Sequence, residues 1–259
     1  MTTNDPVTTA AAPPPAGAPR LYVDDADLSE DGRVTLSAPQ AHYLRSVMRR
    51  TPGDAVILFN GRDGEWRAAL DSVAKAHATA VCRDRLRPQP TGGQNGPWLL
   101  FAPLKRGPVD ILAEKATELG VSRLQPVTTR LTTAARVNAA RLRALAIEAA
   151  EQCRRLDVPA VTDPLPLARL AEDWPADRTL FVLAEHGEAI PAATAFASHA
   201  GGPAALLVGP EGGLAGPELD VLRHLPFVTC VRLGPRVLRA ETAAIAGLTL
   251  WQAVAGDWR

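Results

Sequence analysis

The sequence predicts an α/β protein: a parallel sheet covered by helices, preceded by a small, mostly β domain. Three observations carry this. After residue 98, short apolar runs alternate with helix-period segments, the pattern of a parallel sheet buried on both faces. Before residue 88 the runs are strand-like, separated by turn residues and interrupted by a single helix-like insert. Between them lies "RPQPTGGQNGP", 87 to 97, a Pro, Gly and amide cluster with the composition of a linker.

The elements follow in chain order. Residues 1–19, rich in Ala, Thr and Pro, contain no basic residue and no long apolar run. They read as a disordered tail, neither a signal peptide nor a membrane span. The front domain, 20–87, holds strands at "RVTL" (33–36), "AVILF" (55–59), "EWRAAL" (65–70) and "ATAVCR" (78–83). "NGRDGEW" (60–66) is a tight turn and "PQAHYLRSVM" (39–48) the helical insert; a small barrel fits this pattern.

After a linker at 88–97, the domain 98–259 opens on the strand "WLLFA". A helix over 107–120 is bracketed by Gly107-Pro108 and Gly120, with an apolar stripe at Val109, Leu112, Ala116 and Leu119. The strand "RLQPV" (123–127) and a long helix (138–155), capped by Asn138, come next. Buried strands fall at 179–184, 204–209 and 227–233. Pro217 starts a helical turn, and 240–254 forms the closing helix.

Apolar residues make up 46% of 259, enough for a substantial core, and 28 basic residues balance 28 acidic ones. The charge is unevenly placed. Residues 32–88 carry ten basic and five acidic side chains, whereas 161–222 carry two and nine. A segregated basic surface is a footprint of nucleic-acid binding; an Arg-rich, Ala-rich composition is the bland alternative. Cys82, Cys153 and Cys230 are widely spaced, with no C-x-x-C pair. That argues against zinc or a disulfide framework and for reduced thiols in a cytoplasmic protein. No stretch is apolar enough to span a membrane.

Parallel sheets place ligands at the C-terminal ends of their strands. Three such ends are loaded here: "LAEHGEA" (183–189), "VGPEGGL" (208–214) and "LGPRVLRAETAA" (233–244). None is a P-loop or a dinucleotide fingerprint. No Lys or Arg lies between Arg178 and Arg223, and the middle loop carries Glu211. A cationic or neutral ligand held by backbone groups fits better than a phosphate. For one such loop, a plain strand-to-helix turn would suffice; three together favour a site. S-adenosylmethionine, with its sulfonium and its flat adenine, is a ligand of that kind.

"LLVGPEGGLAGPEL" followed by "LGPRVLRAETAA" resembles the trefoil-knotted SPOUT methyltransferases. More narrowly the chain is similar to the ribosomal RNA small subunit methyltransferase E family, which methylates N3 of a uridine in 16S ribosomal RNA. "LKRGPVDILAEKATELGVSRLQPV", "EAAEQCRRLDVP", "HYLRSVMRRTPGD" and "LFNGRDGEW" match that family in the same order, so the likeness runs from about 20 to 259. It implies a PUA-like RNA-binding β-barrel in front of a knotted catalytic domain. It also implies a homodimer with each site near the subunit interface; the expectation of no metal rests on the cysteine spacing alone.

By carry-over, the cofactor pocket includes Leu183, Ala184, Glu185, Gly209, Pro210, Glu211, Gly212, Leu233, Gly234, Leu238, Arg239 and Thr242. His186 is either a pocket residue or solvated. Uridine N3 must lose a proton, to a base or with a cation stabilising the anion. Arg239 is the candidate cation; Glu241 is a base, an orienter of Arg239, or a charge complementing a helix dipole. RNA contacts are expected at His42, Arg45, Arg49, Arg50, Arg62, Lys105, Arg106 and Arg155. Arg45 and Arg49 would share a helix face at i, i+4, as phosphate contacts or as a solvated face. Trp66 fits either RNA or the core, and Arg155 either RNA or an ion pair with Glu151.

The chain departs from the family pattern at Glu114, where Gln is common, and at Thr129, where an acidic residue often precedes the arginine. Two further readings stand beside the leading one. The first is a SPOUT enzyme acting on another RNA or a ribose 2′-hydroxyl. The second is a non-catalytic RNA-binding assembly protein.

Overall fold

The computed structural model describes residues 17–91, 96–104, 106–133, 137–199 and 201–258. The expected tail up to residue 16, part of the linker (92–95) and Lys105 lie outside them. The chain forms two compact units. One runs to Gly93 and includes Arg154–Asp157; the other comprises Gln94–Cys153 and Val158–Arg259. The tetrapeptide Arg154–Asp157 thus leaves the span 98–259 to which its place in the sequence assigned it.

In the first unit, strands β1 (Arg20–Tyr22), β2 (Arg33–Leu36), β3 (Ala55–Phe59), β4 (Glu65–Val73) and β5 (Ala78–Arg87) form one sheet in the order β1-β3-β4-β5-β2. Pairing is antiparallel except for β1, which runs parallel to β3. The strands alternate, so Val34, Leu36, Val56, Leu58, Ala68, Leu70, Ala78 and Ala80 share a core. Trp66 belongs to that core, and its Nε1 donates to Asp63 O at 3.0 Å. The RNA alternative for Trp66 therefore falls.

Asn60 shapes the 60–64 turn. Its Oδ1 accepts from the Arg62 and Asp63 amides, and its Nδ2 donates to Ala26 O. Beyond this turn Glu65 is buried between Arg20, at 2.6 Å, and Arg87, at 2.7 Å. Arg20 and Arg87 also donate to the carbonyls of Arg155 and Arg154, which seats Arg154–Asp157 on this unit.

The helical insert is not a regular α-helix. Helix α1 (Ala38–His42) is capped by Ser37 in a capping box with Gln40, and continues as a π-helix over Tyr43–Val47. Arg49 then takes a left-handed φ of 53°. The i, i+4 face expected for Arg45 and Arg49 does not exist, because the π turn and the left-handed residue intervene.

The second unit is built on a parallel sheet. Its strands are β6 (Trp98–Phe101), β7 (Arg123–Thr128), β8 (Ala160–Val161), β9 (Leu165–Pro166), β10 (Thr179–Leu183), β11 (Ile190–Pro191), β12 (Ala204–Val208) and β13 (Val228–Arg232). The order is β11-β13-β10-β12-β6-β7-β8, with β9 pairing β7. Helices α2 (Arg106–Glu118), α3 (Ala139–Cys153), α4 (Ala192–Ser198), α5 (Gly216–Arg223) and α6 (Ala240–Val254) cover it.

Both faces are buried, as continuous apolar strands require. Leu180 and Val182 of β10 join Leu207 and Leu222, while Phe181 between them packs on Phe196 and Trp251. Asn138 caps α3 by accepting from the Arg141 amide at 3.0 Å. In α6, a Cβ on Gly247 would come within 3.1 Å of the Leu183 and Leu206 side chains. A bare backbone there lets α6 close on β10 and β12. No helix among the described residues is long and apolar enough to cross a membrane.

Candidate active site

Sheet register brings the three loaded loops together. Leu183 pairs with Val208 on one side and Val231 on the other, so β10, β12 and β13 end level. Ala184 N donates to Val231 O at 2.9 Å and extends that alignment by one residue. Around these ends lies a cavity of about 280 Å³. The first loop contributes Leu183, Ala184, Glu185 and His186; the second, Gly209, Pro210 and Gly212; the third, Leu233, Gly234 and Leu238.

The glycines of the middle loop do different jobs. Gly213 has a φ of 71° and donates to Pro210 O at 2.8 Å, which closes the turn. Gly209 is crowded by its own loop, since a Cβ would sit 3.1 Å from Gly213 C. Gly212 is neither: its φ is not left-handed, and its nearest neighbour would be a Leu131 methyl at 3.7 Å. A Cβ there would sit in ordinary contact with Leu131, so the protein's own packing does not demand glycine on this stretch of cavity wall. Glu185 reaches across to this loop, with Oε2 3.8 Å from the place a Gly213 Cβ would take. His186 Nε2 lies 4.0 Å from the same carboxylate.

Helix α5 supports the first loop. Arg223 donates to His186 O at 3.1 Å and pairs with Asp220. The α5 capping box ties Glu218 back to Ala215 N, and Glu218 also accepts from the Arg130 amide at 2.8 Å.

Glu211, Arg239 and Thr242 do not line the cavity. Glu211 is exposed at the turn tip, and Thr242 is exposed beyond the first lining residue of α6. Arg239 is the N-cap residue of α6, exposed between Leu238 and Ala240, both of which do line the cavity. Its carbonyl accepts from the Ala243 amide at 2.8 Å, whereas its guanidinium has no hydrogen-bond or ion-pair partner among the described residues. Glu241 is half-buried in the first turn of α6 and makes no hydrogen bond to Arg239. Its position suits the helix-dipole role.

Sequence reasoning missed Gly213, Leu214, Leu219, Arg236, Val237 and Ala243 among the lining residues. Arg236 and Val237 were inside the third loop's motif. Leu214 and Leu219 carry no signal of their own, because apolar residues flanking a helix start read as core.

The expected RNA contacts differ in how far their side chains are already engaged. His42, Arg45 and Arg49 are exposed, and His42 Nδ1 lies 3.3 Å from Ser46 Oγ. Arg50 instead bonds the Gly17 carbonyl. The Arg62 guanidinium is occupied, donating to Asp24 O at 3.0 Å and Ala26 O at 3.3 Å. Arg155 is half-buried and pairs with Asp157 at 3.0 Å in the first unit. It serves to hold its own segment. Lys105 and the Arg106 side chain lie outside the described residues.

Residues 96–252 match the RNA methyltransferase domain family, and 36–81 match the RNA methyltransferase PUA domain. The chain is 32% identical, over 88% of its length and 75% of the relative's, to ribosomal RNA small subunit methyltransferase E of Synechocystis sp.. It is 30% identical to that of Mycobacterium bovis, over 92% of this chain and 95% of the relative. The crystal structure of ribosomal RNA small subunit methyltransferase E from Neisseria gonorrhoeae bound to S-adenosyl methionine is similar, with a TM-score of 0.79 and 26% identity. That match covers 93% of this chain and 100% of the other. With a SPOUT-like parallel-sheet core and a PUA-like domain in front of it, the chain belongs to the ribosomal RNA small subunit methyltransferase E family.

Proposed function

We propose that this protein methylates small-subunit (16S) ribosomal RNA from S-adenosylmethionine, at N3 of a uridine. The observation that carries it is the cavity at three level strand ends, with a glycine on its wall at Gly212 that the fold's own packing does not require. The lining suits this cofactor. Leu183, Leu233 and Leu238 offer apolar walls for adenine, and Glu185 puts a carboxylate beside a cationic ligand. Family membership and the S-adenosyl methionine-bound Neisseria relative support the same reading.

The cofactor supplies a methyl group already activated on a sulfonium. The chain's part is to orient it and to manage the N3 proton of the base. Arg239 is exposed at the rim and unpaired, placed for the target base rather than for the cofactor. There a guanidinium stabilises the uridine anion. Arg236, in the cavity lining, is the second cation at this rim.

Residues 98–259 apart from Arg154–Asp157 form the catalytic domain and 20–87 the RNA-holding domain, with His42, Arg45 and Arg49 as phosphate contacts. The working form is a homodimer in the cytoplasm. Val237, on the cavity lining yet 69% exposed, and Val221, 65% exposed, are apolar surfaces that a second subunit would cover.

Methyl transfer tests the proposal. Small ribosomal subunits from cells lacking the protein are incubated with it and labelled S-adenosylmethionine, and the product is mapped by mass spectrometry. One labelled N3-methyluridine is expected. Label on a ribose would favour the 2′-hydroxyl reading, and cofactor binding without transfer would favour an assembly role.

A further inference from the structure

Opposite the cavity, at the N-terminal edge of the second unit's sheet, three side chains meet. Trp98 opens β6, Arg123 opens β7, and Arg178 immediately precedes β10. The Cζ atoms of Arg123 and Arg178 each lie 3.8 Å from the Trp98 ring centroid. Register explains the approach. Arg123 is the direct neighbour of Trp98, while Arg178 reaches past β12 from the other side, donating to Ala204 O at 2.7 Å.

This stack is short of acceptors. Arg178 Nε is buried with no partner, and the Arg123 guanidinium rests on the Trp98 ring without a hydrogen bond or ion pair among the described residues. Other partly buried or surface arginines do find carboxylates: Arg141 pairs with Asp110, Arg67 with Asp84 and Arg169 with Glu172. Burial pushes both guanidinium pKa values down. For Arg178, Asp177 opposes that shift and neighbouring Arg123 adds to it. Stacking on an indole accounts for where the two cations lie. It does not account for two half-buried like charges side by side with no ion-pair partner, since buried charges are normally paired.

We propose that Arg123, Trp98 and Arg178 form a second phosphate-binding site that grips RNA backbone at the sheet edge opposite the cavity. This rests on the RNA methyltransferase reading above. A phosphodiester offers the planar pair of oxygens that a guanidinium fork binds best, and such a contact positions RNA without reading its bases.

The test is the salt dependence of binding to small-subunit ribosomal RNA, for wild type and Arg123→Gln. The Arg123 guanidinium has no hydrogen-bond partner to strand, and Gln keeps part of the stem that packs on Trp98; S-adenosylmethionine titration of both proteins checks that the fold is kept. Each phosphate contact contributes roughly 0.7–0.9 to the slope of log affinity against log salt. The variant is expected to lose that much slope. Its deficit relative to wild type then shrinks roughly threefold between about 50 and 200 mM salt. Arg123→Lys, which keeps the charge, is expected to keep the slope. If Arg123→Gln loses cofactor binding, Arg123→Met, with its longer apolar stem, provides the same readout.

Equal slopes and affinities for wild type and variant would overturn the site while leaving the function in place. A wild type that binds no RNA would overturn both. Inorganic phosphate at matched ionic strength separates the two sources of the anion. If it raises the melting temperature of wild type and not of Arg123→Gln while the RNA slopes agree, the site takes free phosphate and the RNA assignment fails.

Discussion

Gly212 lies on the cavity wall at a position where the protein's own packing has room for a side chain. Gly212→Val is therefore expected to change stability by less than about 0.5 kcal/mol, as an open surface position does. It should weaken S-adenosylmethionine binding at least about tenfold, a cost of roughly 1.4 kcal/mol. Thermal unfolding and isothermal titration on the same sample check both halves. Arg239→Ala should do the reverse of a cofactor-site variant. Turnover should fall on the order of a hundredfold, with cofactor affinity nearly unchanged. Equal losses in turnover and cofactor affinity would place Arg239 on the cofactor.

At this scale the sequence was legible where a residue type clusters in a compact motif. The glycine loops and their apolar flanks could be read as a site. Arg62 and Arg155 could not be read as occupied, because their acceptors are backbone carbonyls or a carboxylate placed by local turns.

Among elements, the best-read were those with strong period and clear ends. The closing helix 240–254 and the strands 33–36 and 55–59 coincide with what forms. Asn138 caps as expected, and Asn138→Ala should cost about 1 kcal/mol of stability by denaturant unfolding. Strand β1 was invisible: three residues carry no period, and its parallel pairing with β3 is a tertiary fact. The π turn at Tyr43–Val47 was likewise unreadable, since its hydrogen bonds span only one residue more than those of an α-helix.

The Glu65 clasp joins β1, β4, β5 and the Arg154–Asp157 segment. Removing its carboxylate strands two guanidiniums, one of them buried, so Glu65→Ala should cost about 3–5 kcal/mol. Burial would raise the Glu65 pKa, but hydrogen bonds and charge from Arg87 and Arg20 outweigh it and hold it below the ordinary carboxylate range. A depressed pKa means the unfolded chain takes up the proton first. The clasp is thus fully stabilising above about pH 4.3, the unfolded value, and is lost progressively as pH falls below it. Denaturant midpoints measured from pH 6 to about pH 3 should fall more for wild type than for Glu65→Ala. Parallel curves would deny Glu65 that role.

For the whole molecule, the division into a β unit and a parallel-sheet unit followed from composition and alternation. The return of Arg154–Asp157 to the first unit did not. Helix α3 ends at Cys153, Arg154 takes a left-handed φ of 65°, and only then do Arg20 and Arg87 find the freed carbonyls. Such long-range capture has no local signal. The electrostatic face of the first unit is simpler: His42, Arg45 and Arg49 are exposed on one short segment that holds no acidic residue. The double variant Arg45→Ala with Arg49→Ala should weaken RNA binding and reduce its salt slope by roughly 1.4–1.8. An unchanged slope would remove those contacts.

All of this depends on a positively charged sulfur nucleoside seating at the three level strand ends. Isothermal titration of the intact protein with S-adenosylmethionine, beside Gly212→Val, tests that most directly. Saturable binding at one site per chain, sharply weakened in the variant, is the expected result. A folded wild type that takes up no cofactor, or a variant that binds it equally well, would contradict the account.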